Sequence, residues 1–122
     1  MTKRGVILFG HGSRDPAWRE PMDAVARRIA EKAPGTRAIC AFLELQAPDF
    51  AAAVAELARE GAEHVTVLPM FLGVGKHVRQ DLPALVESAR ATHPGVDIAV
   101  LPSVGELPEV IEALATSTLR RP

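Results

Sequence analysis

The chain has no tyrosine, one tryptophan, and one cysteine among 122 residues. A lone Cys40 excludes an internal disulfide and fits a reducing compartment, the cytoplasm. Fourteen Lys plus Arg against fifteen Asp plus Glu leave a net charge of −1. That balance excludes a bulk field for nucleic acid or an anionic membrane surface. Long apolar runs are also missing. The amino-terminal run Val6 to Phe9 is shorter than a signal-peptide core, and no stretch reaches the length of a membrane span. These absences lead us to expect one soluble, intracellular domain over residues 1–122.

Four short, β-branched apolar runs recur: 6–9, 37–45, 64–72 and 96–102. Each precedes a segment with helical period. The stripes are Met22, Val25, Ala26, Ile29 and Ala33; Phe50, Val54, Leu57 and Ala58; Leu82, Leu85, Val86 and Ala89; and Val110, Ile111, Leu114 and Ala115. Pro48 and Pro108 suit first turns, and Asp49 and Asp81 read as helix-start residues. Pro21 and Pro83 blur the starts of the first and third helices. The order βαβαβαβα predicts an α/β domain, a four-stranded parallel sheet with right-handed crossovers and helices on both faces.

In such sheets ligands bind beyond the carboxyl ends of the strands. The first run ends in Gly10-His11-Gly12-Ser13, the second near Phe42-Leu43-Glu44, and the third enters "MFLGVGKHVRQD". His11, Glu44 and His77 therefore converge on one edge. Glycines on either side leave His11 uncovered, which favours a function over a turn cap. Glu44 is read as a site carboxylate, or else as a residue that faces outward or pairs with an arginine. His77 is either a solvated first-turn residue or a neutral imidazole kept so by the helix dipole. His64 falls at the opposite edge, His93 ends a helix, and Cys40 reads as a core residue.

Familiar motifs are missing as well. Gly10-His11-Gly12 lacks the third glycine of the dinucleotide fingerprint, and Gly75-Lys76 completes no phosphate-binding loop. None of the four serines sits in G-x-S-x-G, and no Cys pair or H-E-x-x-H marks a zinc site. Two imidazoles and a carboxylate suit borderline ions such as Co²⁺, Fe²⁺, Ni²⁺ or Zn²⁺, with positions left open. Ser13, Arg14, Lys76 and Arg79 nearby suit carboxylates. Phe42, Leu43, Met70, Phe71, Leu72 and Val74 offer an apolar wall. Metal, protons, anions and an apolar plane meet in a polycarboxylated tetrapyrrole.

"VILFGHGSRDP", "AFLELQAP" and "VLPMFLGVGKHVRQDLP" resemble the signature segments of small CbiX/SirB-type sirohydrochlorin chelatases, of the class II chelatase group. The resemblance implies the chelatase-like three-layer sandwich and insertion of Co²⁺ or Fe²⁺ into sirohydrochlorin, toward cobalamin or siroheme. It puts the family's histidines on His11 and His77 and its acid on Glu44, as metal ligands and proton acceptors. No ATP and no tightly bound cofactor are implied; the ion is a substrate. Longer relatives carry two such halves where this chain has one, which implies a homodimer. The chain also lacks the histidine-rich or iron–sulfur tail of some long members. Nickel insertion, a non-catalytic metal or tetrapyrrole carrier, and a metal-free acid–base enzyme stay open on the residues alone.

Overall fold

The computed structural model describes residues 3–120. Strands β1 (Arg4–Gly10), β2 (Thr36–Phe42), β3 (His64–Pro69) and β4 (Asp97–Val100) form one parallel sheet in the order β2-β1-β3-β4. Helices α1 (Glu20–Lys32), α2 (Phe50–Arg59), α3 (Lys76–Thr92) and α4 (Pro108–Leu119) follow the strands in turn. The expected α/β order is therefore present. Strand β1 occupies the interior of the sheet, and Ile7, Leu8 and Phe9 are wholly buried. A strand covered on both faces has no solvent side, so its sequence shows no alternation.

Ile7, Ile39, Val65, Val67 and Ile98 point to the face where α2 and α3 bring Phe50, Val54, Leu57, Leu82 and Val86. Phe9 stacks edge-on against Phe50, with ring centroids 5.7 Å apart. Leu8, Cys40 and Phe42 point the other way, onto Met22, Val25 and Ile29 of α1. The fourth helix forms as expected, but none of its residues is buried. No helix among the described residues is long and apolar enough to cross a membrane.

Local chemistry sets the boundaries. Asp49 caps α2, its carboxylate accepting the Ala52 N–H at 2.8 Å, a contact worth about 1 kcal/mol. Asp81 is not a cap: α3 begins at Lys76, so Asp81 sits inside it. Pro83 likewise lies inside α3 and not at its start, leaving the Arg79 carbonyl without its usual helical donor. Strands β2 and β3 end three residues earlier than their apolar runs, at Phe42 and Pro69. His93 caps the carboxyl end of α3, and His64 opens β3 at the amino edge, 3.3 Å from Asp97.

Cys40 is buried beneath α1, and burial, reinforced by the nearby Asp23 carboxylate, pushes its thiol up to about 11. The thiolate is the reactive form. Thiol reagents at pH 8 are therefore expected to label native Cys40 far more slowly than the urea-unfolded chain. Equal rates in the two states would contradict the packing described.

Candidate functional site

The carboxyl edge is built by continuing the β1–β2 pairing past the strand ends. Gly10 stands opposite Phe42 in register. One step on, the Leu43 N–H donates to the Gly10 carbonyl at 2.9 Å, and the Glu44 N–H donates to the His11 carbonyl at 3.0 Å. Backbone bonds thus hold His11 and Glu44 side by side, although 33 residues separate them. Gly12 makes that approach possible. It has φ of +101°, and a Cβ there would collide with the Glu44 carbonyl. Leu45, at φ +67°, then turns the chain, and the Phe42 N–H closes the loop on the Pro48 carbonyl at 3.0 Å. The Gln46 side-chain oxygen accepts the Ser13 N–H at 3.2 Å, pinning the two loops from a second point.

His11 Nε2 lies 2.9 Å from Glu44 Oε1, with the two side chains 51% and 55% exposed. An exposed pair of this kind contributes only about 0–1 kcal/mol to stability. Its consequence is orientation. A carboxylate oxygen accepts, so Nε2 of the neutral ring carries the proton and Nδ1 keeps its lone pair. A carboxylate that holds an imidazole in this way fixes its tautomer and ring orientation. Glu44 is half exposed and contacts His11, and no arginine pairs with it among the described residues.

The second histidine stands apart. His77 is the second residue of α3 and is exposed. No group of three or more His, Cys, Asp or Glu among the described residues is arranged to hold a metal ion. Within this single chain the donor set is a pair, His11 with Glu44. The Ser13 hydroxyl accepts the Asp15 N–H at 3.1 Å, while Arg14 and Lys76 are exposed. Arg79 lines a groove of about 390 Å³ between α3 and β4, with Glu106 on its rim. Of the apolar wall, Phe42 is buried, with Trp18 and the Arg19 guanidinium against its ring. Leu72 is exposed, and Phe71 and Val74 are half-buried.

Sequence reasoning missed the clamp on the β3–α3 loop. The Ser103 hydroxyl donates to the Phe71 carbonyl, and the Gly105 N–H donates to it at 3.1 Å. A Cβ on Gly105 would strike the Leu72 carbonyl, so this glycine, like Gly12, lets two backbones meet. The one available signal was a glycine in "PSVGE" with no strand or helix to interrupt.

The CbiX family matches residues 5–120. This chain belongs to the CbiX family. Among CbiX relatives, the sirohydrochlorin cobaltochelatase of Methanococcoides burtonii is 31% identical over 93 residues, covering 76% of this chain and 71% of its own. The crystal structure of a CbiX protein from Marinobacter aquaeolei VT8 is 33% identical with a TM-score of 0.78, covering 98% of this chain and 99% of that one. SirB from Bacillus subtilis, solved with Fe³⁺, is 25% identical with a TM-score of 0.77, covering 94% of this chain and 46% of SirB. The CbiX chain therefore spans less than half the length of SirB and all but the whole of the short Marinobacter protein.

Gly12→Ala tests how the edge is built. A side chain at that positive φ strains the backbone by about 1–2 kcal/mol before any clash with Glu44 is counted. Urea unfolding is expected to show a loss of at least that size. An unchanged midpoint would mean that the Glu44 backbone does not cross at Gly12.

Proposed function

We propose that this chain is a sirohydrochlorin chelatase, inserting Co²⁺ or Fe²⁺ into a polycarboxylated tetrapyrrole in cobalamin or siroheme biosynthesis. The observation that carries the reading is the His11–Glu44 contact at the carboxyl edge of the sheet. It presents an imidazole with an open lone pair, half exposed, beside a carboxylate. His11 and His77 act as the ligands that receive the ion. Glu44 orients His11 and serves as ligand or proton acceptor. Insertion releases two pyrrole protons, which imidazole and carboxylate accept as the ion leaves them. The ion is consumed as a substrate, and no tightly bound cofactor takes part. Ser13, Arg14, Lys76 and Arg79 take the ring's carboxylates, Arg through paired N–H donors.

A flat macrocycle needs two walls, and pockets bury roughly 70–90% of a bound small molecule. One sheet edge offers a single wall. We assign the second to another copy of this chain in a two-fold homodimer, the commonest closed assembly of identical subunits. SirB, of which this chain covers 94% of itself but 46% of SirB, supports that count of two. An unpaired, buried Cys40 suits a cytoplasmic setting.

The test is a metal-resolved insertion assay on purified protein with sirohydrochlorin and Co²⁺, Fe²⁺ or Ni²⁺ in competition. Wild type is expected to accelerate the spectral change of the macrocycle; binding without acceleration would make it a carrier instead. His11→Ala and His77→Ala are each expected to lower the rate by about 100-fold or more, the scale of lost proton transfer or ligation. Glu44→Gln is expected to cost about 10–100-fold, as loss of an imidazole's carboxylate partner does. His64→Ala and His93→Ala should stay near wild type. Near-normal turnover in the His11 variant would refute the assignment.

A further inference from the structure

Leu45 is the turning point of the loop after β2, and nothing in its own chain explains a leucine there. The Gln46 N–H donates to the Glu44 carbonyl at 2.8 Å across Leu45, whose φ is +67°. A bond over one residue at that φ is the γ-turn of the rare, strained form. Among the described residues Leu45 alone, glycines aside, has a positive φ. Glycine and asparagine tolerate that region; leucine is disfavoured in it. Packing does not compensate, because Leu45 is 53% exposed.

The turn is tied on both flanks. Before it, the Glu44 N–H donates to the His11 carbonyl at 3.0 Å; after it, the Gln46 side-chain oxygen accepts the Ser13 N–H at 3.2 Å. An apolar side chain is therefore held at the carboxyl edge, one residue from the carboxylate that touches His11 Nε2. Strained positions persist where the surroundings over-determine them, and they gather at ligand sites. The neighbouring cations Arg14 and Lys76 suit the carboxylates on a ring's rim but offer nothing to its face. A bare metal ion or a small hydrophilic anion has no use for a leucine; a broad apolar ring face does.

We infer that Leu45 is a substrate-positioning residue, whose side chain packs on the face of the macrocycle and seats the ring over the His11–Glu44 pair. The inference rests on the proposed function for the identity of the ring. It adds the contact that fixes where the ring lies relative to the imidazole, which the charged residues at the rim do not determine.

Equilibrium dialysis of metal-free sirohydrochlorin against the full chain tests it, with Co²⁺ insertion followed in parallel. Leu45→Asn suits the positive φ and removes the apolar contact. It is expected to keep or raise the urea midpoint while the dissociation constant for sirohydrochlorin rises about 10-fold, the change that follows when half a leucine side chain loses its burial. The KM for sirohydrochlorin should rise with it, with kcat and the KM for Co²⁺ near wild type. Leu45→Met keeps the apolar bulk and is expected to restore wild-type binding, as a swap of similar volume. Unchanged affinity in Leu45→Asn would overturn the inference. So would a urea midpoint that falls together with affinity, since the leucine would then serve the turn itself. A species of lower mass on sedimentation of Leu45→Asn would also overturn it, since a partner subunit would then cover the side chain. A wild type that binds no sirohydrochlorin would remove both this inference and the chelatase reading. A wild type that inserts Co²⁺ beside a Leu45→Asn variant of equal affinity would keep the reading and remove the inference alone.

Discussion

The crossing of the Glu44 backbone over Gly12 is the constraint on which the carboxyl edge depends. Parallel strands need long connections, so the loops after β1 and β2 have no reason of their own to meet. They meet because the ladder continues past both strands through Leu43 and Glu44. That continuation requires a residue with no side chain and a positive φ at position 12. The geometry of this edge follows from it: the bared imidazole, the carboxylate against Nε2, and the lone pair left on Nδ1.

The same device recurs across the sheet. Gly105 admits the Leu72 carbonyl as Gly12 admits that of Glu44, and Ser103 holds Phe71 from the same turn. Two loop pairs, β1 with β2 and β3 with β4, are therefore pinned by backbone contact. His11 hangs from the first pair and His77 follows the second.

Much of this was legible in the residues. Short continuous apolar runs and period-3.6 stripes located all four strands and all four helices, because burial is what those patterns record. The strand-end rule drew His11, Glu44 and His77 to one edge; the structure joins the first two at 2.9 Å and leaves His77 outside that contact. What stayed hidden has a common cause. The glycine clamps depend on which backbones cross, and composition carries no trace of that. Asp81 and Pro83 read as a helix start, yet α3 begins earlier because its apolar stripe from Val78 to Ala89 outweighs one missing bond. Phe42 looked like a wall residue because its run continued past the strand, but α1 and Arg19 close over it. For α4 the pattern announced the helix, yet none of its residues is buried.

Central to the account is the claim that Glu44 holds His11 with its proton on Nε2 and its lone pair on Nδ1. Long-range proton–nitrogen correlation NMR on the ¹⁵N-histidine-labelled protein reads that tautomer directly. The expected spectrum at neutral to mildly alkaline pH has His11 protonated at Nε2, with the preference lost in Glu44→Gln and the Nδ1 resonance of wild type the one perturbed when a diamagnetic divalent ion such as Zn²⁺ is added. A His11 ring protonated at Nδ1, or one whose tautomer ignores the Glu44 substitution, would contradict the account.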